Sequence, residues 1–151
     1  MLQKHRNKAS IPDGLYYPAE DMKKGTDVIR KLDTDKGTFV FAKPSTADEA
    51  KSIYGFITRD IRYDDHTKKY YDTCLASELA TAYTRVSGES WKTTEFVEDL
   101  AVGDLCAVGF ESNDAGKVRK AKTGETATMI VLQKTEAFQG YEDPMVTVQY
   151  L

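Results

Sequence analysis

The sequence is poor in the residues that most catalytic and metal-binding arrangements require. Of its 151 residues, two are cysteine and two are histidine. Cys74 and Cys106 lie far apart, form no CxxC pair and lack paired histidines at zinc-site spacing, so they read as reduced, buried, small apolar side chains. A surplus of positive charge is missing as well. Twenty-one Lys and Arg stand against 24 Asp and Glu, a net charge of -3, which argues against a general nucleic-acid binder with its dominant basic face. No stretch approaches the roughly 20 apolar residues of a membrane span. The opening "MLQKHRNKAS" has no continuous apolar core of the kind that marks a secretory signal, which predicts synthesis and retention in a cytoplasm-like compartment. There is no GxSxG, no Gly-rich phosphate loop with Lys, no HExxH and no dinucleotide fingerprint. "GETATMIV" runs on into a strand pattern and so cannot form the loop-to-helix cradle of a phosphate site. These absences predict a protein with no enzymatic activity and no cofactor.

What is abundant is strand chemistry. Val, Ile, Thr, Tyr and Phe fall in short runs separated by Gly, Asp, Asn and Ser. Nine strands are predicted: 27–32, 38–42, 52–59, 79–86, 91–96, 104–109, 117–121, 127–132 and 145–150. Helix is confined to "STADEAKSI", where Thr46 is the expected N-cap and Glu49 completes a capping box before Ala50. "DTCLASELATAY" has near-helical spacing of Leu75, Leu79 and Ala82, but "TAYTRV" leading into the turn "SGES" favours strand from Leu79.

A repeat organises these strands. "AEDMKKGTDVIRKLDTDKGTFVFAK" resembles "VEDLAVGDLCAVGFESNDAGKVRKAK". Glu20, Asp21, Met22, Gly25 and Asp27 align with Glu98, Asp99, Leu100, Gly103 and Asp104, and Asp35, Gly37 and Lys43 align with Asp114, Gly116 and Lys122. Each copy then closes on an apolar strand, "SIYGFITRD" or "ATMIVLQKTE". One such unit has too little core to stand alone, so the two are expected to pack together about a pseudo-twofold. The predicted fold is all-β: a compact sandwich or barrel built from two similar β modules, with one short helix and an extended N-terminal arm. The arm is assigned to residues 1–13 and a single β-rich domain to 14–151, with repeats near 20–60 and 98–135 and a central insert over 61–97.

"DTDKG" at the first hairpin also has the look of a calcium loop. An EF-type loop opening at Asp33 needs a ligand at its fifth position, Gly at the sixth and a bidentate Glu at the twelfth, whereas this chain has Gly37, Thr38 and Pro44 there. What the two copies share is an Asp-x-Gly turn, expected to be a three-residue hairpin loop with a left-handed Gly at a bulge.

Two other features are candidate sites. His66 beside Asp64 and Asp65 in "RYDDHTKKYYD" offers metal-ligand chemistry, but neighbouring residues on an extended segment point in different directions and no converging ligand is evident. The aromatics Tyr16, Tyr17, Tyr54, Tyr63, Tyr70, Tyr71, Tyr83, Trp91, Tyr141 and Tyr150 suit either a carbohydrate platform or a protein interface, and the interface reading is preferred because Tyr combines a buried ring with a bonded hydroxyl. "DDHTKKYYD" is charged and aromatic together and is the best internal candidate for partner contact. Lys4, His5, Arg6 and Lys8 form a basic arm on an otherwise acidic chain, ending at "IPDG". The partner-binding candidates are Lys4, Arg6, Lys8, Tyr63, Tyr70 and Tyr71.

The unit "KKGTDVIRKLDTDKGTFVFAKPSTADEAKSIYGFITRD" and its echo "AVGDLCAVGFESNDAGKVRKAKTGETATMIVLQ" resemble the β-rich modules of tailed-bacteriophage capsid decoration, or structural cement, proteins. Those modules run as a Gly-Asp turn, a strand, an Asp/Asn-Gly hairpin, a second strand and a closing apolar strand. The resemblance covers residues 20–60 and 98–135, about half the chain, on short motifs. It implies a non-enzymatic virion component on the outside of the shell, often a homotrimer, that bridges major capsid protein subunits, with the terminal arm lying along the capsid surface. The net charge of -3 predicts no direct nucleic-acid contact. The alternatives are a tail or head-fibre component binding host carbohydrate, and a small enzyme using Asp64, Asp65 and His66.

Overall fold

A computed structural model describes the protein over residues 2–6, 12–59, 72–97, 99–136 and 143–151. Among the described residues the fold is all-β with one short helix. Strand β1 (Leu2–Arg6) is followed by β2 (Pro12–Pro18), β3 (Met22–Lys23), β4 (Asp27–Asp33), β5 (Thr38–Ala42), helix α1 (Ala47–Lys51) and β6 (Gly55–Thr58). Then come β7 (Thr73–Cys74), β8 (Ala80–Thr84), β9 (Ser90–Thr93), β10 (Leu105–Val108), β11 (Val118–Lys120), β12 (Met129–Thr135) and β13 (Met145–Tyr150). Each of the nine predicted strands is present. The structure adds β1, β2, β3 and β7, and because β2 begins at Pro12 the barrel starts inside the stretch assigned to the arm.

The first module is a closed barrel in the order β2-β5-β4-β6-β8. Its β2 lies parallel to β5 and antiparallel to β8. The second module repeats that order within a six-stranded sheet, β1-β9-β13-β12-β10-β11. There the chain beyond β9 returns to β11 through a parallel bridge from Phe96 to Val118. Backbone hydrogen bonds fix the correspondence residue by residue. Gly25 N–H donates to Ile57 O and Gly103 N–H to Val131 O, both at 2.9 Å. Ile57 N–H donates to Thr26 O, and Val131 N–H to Asp104 O. Tyr54 N–H donates to Val28 O, and Thr128 N–H to Cys106 O, both at 2.8 Å. The structural partner of Asp104 is therefore Thr26, and that of Asp27 is Leu105; alignment by residue identity had paired the two aspartates. One residue of register separates these answers, and in a strand one residue exchanges the two faces.

The cores follow the same correspondence. Met22, Val28, Phe41, Ile57, Cys74, Ala80 and Ala82 fill the first barrel. Their counterparts Leu100, Cys106, Val118, Val131, Val146 and Val148 are buried in the second module. Where the first uses one Phe with two Ala, the second uses three Val, a redistribution of volume that keeps each interior filled. Both cysteines are free and fully buried, and burial pushes each thiol up to about 12.

Local chemistry explains the turns. Asp33 Oδ1 accepts from the N–H groups of Asp35 and Lys36, each at 3.1 Å, and Gly37 closes the loop at φ 63°. Asp33 pairs with Thr38, so the loop holds four residues, one more than expected, because the aspartate carboxylate organises a full turn before the glycine. The carboxylate serves the turn, as the hairpin reading requires. At α1, Thr46 Oγ1 accepts from Glu49 N–H at 3.2 Å, as an N-cap does. The reciprocal half of the box reaches one residue further back: Glu49 Oε2 accepts from both N–H and O–H of Ser45 at 2.7 Å.

Candidate interaction surfaces

The two modules meet along a seam that buries one face of the first. Phe56, on the outer side of β6, packs with its ring centroid 6.4 Å from Trp91 and 5.6 Å from Tyr150, and Trp91 also stacks at 4.8 Å on Tyr83. Thr93 Oγ1–H donates to Gly25 O at 2.9 Å. Asp27 N–H donates to Gly116 O at 2.8 Å. A Cβ at Gly116 would lie 2.4 Å from Thr26 Cγ2 and 2.8 Å from Asp27 O, so only glycine allows this approach. Trp91 and Tyr150, which the sequence grouped with the surface aromatics, are thus structural members of the seam.

At its centre Asp27 is completely buried, and Tyr150 O–H donates to its Oδ1 at 3.1 Å. Oδ2 has no hydrogen-bond partner among the described residues. Burial raises the Asp27 carboxyl from 3.8 to about 7, against the opposing pull of the Tyr150 hydrogen bond and the positive charge of Arg85. Tyr150 in turn is driven well above its ordinary value by burial and by the neighbouring carboxylate. Arg85 Cζ sits 5.0 Å from the Tyr150 ring centroid. A raised carboxyl in an open cleft would suggest general acid chemistry. This one is sealed between modules, where the arrangement holds the seam together.

Outside the seam three surfaces stand out. The first is the edge of the six-stranded sheet. Among the described strands β1 pairs only with β9, Leu2 opposite Thr93 and Lys4 opposite Trp91, with a bulge between Lys4 and Arg6. The candidate residues Lys4 and Arg6 thus lie on a strand whose outer edge is unpaired by any described strand. The second is one end of the first barrel, where Arg30 Cζ lies 5.3 Å from the ring centroids of both Phe39 and Tyr54 and Tyr16 meets Phe39 edge-on at 6.3 Å. Leu32 and Phe39 face each other across the hairpin and are 52% and 42% exposed. The third is the outer face of β10 and β12, carrying Val102, Leu105 and Leu132 at 66%, 52% and 42% exposure.

A shallow cleft of about 530 Å³ opens beside Lys23, Thr94, Phe96, Lys134 and Pro144. Lys134 Nζ lies 6.0 Å from the Phe96 ring centroid there, and Lys23 Nζ is 3.7 Å from Glu95 Oε1. Its lining offers charge and one aromatic face. Among the described residues no three His, Cys, Asp or Glu side chains come together as a metal site. Lys8, Tyr63, Asp64, Asp65, His66, Tyr70, Tyr71 and Tyr141 lie outside the described residues. Tyr16, Tyr54 and Tyr83 are half-buried and Tyr17 is exposed. The exposed aliphatic residues were missed by sequence reasoning, because a leucine in a strand reads as core; the repeat, aligned in its structural register, is the signal that would have found them.

Among the described residues no helix is long and apolar enough to cross a membrane. No protein-family model matches the chain, and no curated protein matches it significantly.

Proposed function

We propose that this chain is a non-enzymatic virion component that binds the outside of a bacteriophage capsid and stabilises it by bridging major capsid protein subunits, acting as a homo-oligomer of three copies. The observation that carries the reading is the position of the N-terminal segment. The stretch that the resemblance assigns to capsid contact includes an edge strand whose outer row of backbone groups is unpaired by any described strand. Such an edge recruits a strand from a partner through main-chain hydrogen bonds, and Lys4 and Arg6 add positive charge to it. A duplicated β scaffold with shared packing supports the same reading, since cement gains its effect from rigid interfaces repeated at many equivalent sites. A second reading, a tail or head-fibre component binding host carbohydrate, draws on the exposed rings of Tyr17 and Phe39.

The test is co-sedimentation with capsids that lack decoration protein, from the phage that encodes the chain, using the full chain and a form lacking residues 1–6. The cut falls after Arg6 so that β2 of the barrel is spared. Saturable pelleting of the full chain, with much weaker pelleting of the shortened one, is the expected outcome. If neither form pellets, the capsid reading fails. Glycan binding that is lost on Phe39→Ala would then favour the second reading.

A further inference from the structure

The first barrel closes on a core to which the second module contributes no residue. Val28 points into that core, so its neighbour Asp27 lies on the outer side of β4. What removes Asp27 from water is therefore the second module, pressed against that side. The hydrogen bonds across this contact include Asp27 N–H to Gly116 O at 2.8 Å, Thr93 Oγ1–H to Gly25 O at 2.9 Å and Tyr150 O–H to Asp27 Oδ1 at 3.1 Å. The last of these has an acid as its acceptor.

The surrounding elements differ in what they bring to that acid. On β6 its cross-strand partner is Phe56, which does not titrate. On β9, Trp91 is apolar, Lys92 lies on the opposite face of the strand, and Glu95 is turned to Lys23 at 3.7 Å. The β10–β11 hairpin presents the Gly116 carbonyl, already bonded to the Asp27 N–H; Lys117 follows it in the chain, and the charge of Asp114 acts on Arg119. From β13 comes the Tyr150 hydroxyl. The β8–β9 link supplies Arg85, whose charge reaches Asp27 from a place over the Tyr150 ring, and the completely buried Glu89, whose charge acts on the Tyr150 hydroxyl. Asp27 Oδ2 has no hydrogen-bond partner among the described residues. An ionised carboxylate held in this way has one neutral donor and is costly to keep from water, whereas the protonated group is neutral and costs far less. Because the second module is what excludes water, parting the seam is the most direct relief for the charge.

We propose that Asp27 and Tyr150 make the seam a proton-gated joint: with the proton on Asp27 the modules stay closed on one another, and without it they part more often while each barrel remains folded. The carboxyl titrates at about 7 when buried and at 3.8 ordinarily, so its support for closure is full below 3.8, declines as pH rises and is gone above about 7. The joint thus works up to neutrality. It goes beyond a pH-dependent stability, since a proton that tightened the whole fold equally would protect every part of it alike. The inference rests on the seam alone: capsid binding can fail while the joint holds.

The experiment is amide hydrogen exchange on the full chain, read residue by residue by NMR from pH 5 to pH 8 and corrected for the intrinsic rate at each pH. The Asp27 N–H, bonded to Gly116 O, reports on the seam; the N–H groups of Ile57 and Val131, bonded to Thr26 O and Asp104 O, report on the two modules. Protection of the Asp27 amide is expected to fall about a hundredfold relative to both others, at about tenfold for each pH unit, and to level off above about 7. Asp27→Asn is expected to abolish the fall. Tyr150→Phe removes a hydrogen bond that favours the ionised form, so the fall continues to a higher pH, whereas a hydroxyl that only held the structure would lower protection by one factor at every pH. A ratio of protection that does not change with pH overturns the inference. So does an Asp27 amide that tracks Ile57 and Val131 throughout, an asparagine variant that keeps the parent's pH dependence, or a Tyr150→Phe profile that levels at the parent's pH.

Discussion

Replacing Asp27 by asparagine is expected to flatten the pH dependence of stability in the neutral range. The carboxyl is buried, has one oxygen without a hydrogen-bond partner among the described residues and titrates at about 7 in the folded chain against 3.8 as its ordinary value. A folded-state value above the unfolded one means that the folded state holds the proton more tightly. The contribution is therefore present in full below 3.8, declines as pH rises, and is gone above about 7. With about 1.36 kcal/mol for each pH unit between the two values, the full swing is about 4 kcal/mol, of which about 3 kcal/mol falls between pH 5 and pH 8. Asparagine has the same shape, still offers an oxygen to Tyr150 O–H, and carries no charge to desolvate.

The assay is urea unfolding from pH 5 to pH 8, followed by the fluorescence of Trp91, the single tryptophan, which lies in the seam. Subtracting the asparagine variant from the parent at each pH removes the titration of all other groups, provided the urea slope is the same for both. The parent is expected to lose about 3 kcal/mol relative to the variant across this range. A difference that moves by less than about 1 kcal/mol would refute the reasoning. It would mean that Arg85, whose charge favours the ionised form, offsets the cost of burial.

Two further substitutions test the packing. Gly116→Ala places a methyl against Thr26 Cγ2 and the Asp27 carbonyl at a positive φ of 78° and is expected to cost about 3 kcal/mol or more, whereas Gly37→Ala, at φ 63° with open space around the new Cβ, is expected to cost about 1–2 kcal/mol. Equal losses in thermal or urea unfolding would mean that the hairpin does not press on the first module. Arg119 and Glu125 form a two-bond pair with both N–H to O distances at 2.7 Å, and a double-mutant cycle with Arg119→Met and Glu125→Gln is expected to give a coupling of about 1 kcal/mol that shrinks in high salt. The Arg119 hydrogen bond holds the Glu125 carboxyl below its ordinary 4.5, so the coupling is present above that value and fades as pH falls below it. A coupling of zero at neutral pH and low salt would show that solvent screens the pair completely.

Most of the strand map was legible because the apolar alternation in these segments is set by burial on one side. β10 and β11 flank a Gly-marked hairpin, and β13 alternates Val146, Val148 and Tyr150 with Thr147 and Gln149. The unread strands are those whose partners, and not their own pattern, make them strands. β1 reads LQKHR, with no alternation, and exists by pairing with β9. β2 reads PDGLYYP, where Pro and Gly look like loop chemistry; its prolines sit at the strand's two ends, where a missing N–H is tolerated. β3 and β7 are two residues each, below the length at which any period is visible. The short helix was legible to its N-cap but ended the predicted strand's claim on Ser52, whose N–H donates to Asp48 and Glu49 carbonyls.

The seam was the part that the sequence left unread. An aspartate after a Gly-Thr turn reads as solvent-facing, and a leucine in the matching place of the repeat reads as core. The structure has Asp27 at 0% and Leu105 at 52% exposure. Patterning by residue type assumes that every module meets water on one face and its own core on the other. Here the outer faces do not meet the same surroundings: one meets Trp91 and Tyr150 of its sister module, and the Tyr150 hydroxyl donates to the buried acid, whereas at the matching place of the other Leu105 is exposed. The two faces are told apart by the positions at which the likeness of the two copies ends, Asp27 against Leu105 and Phe56 against Ile130.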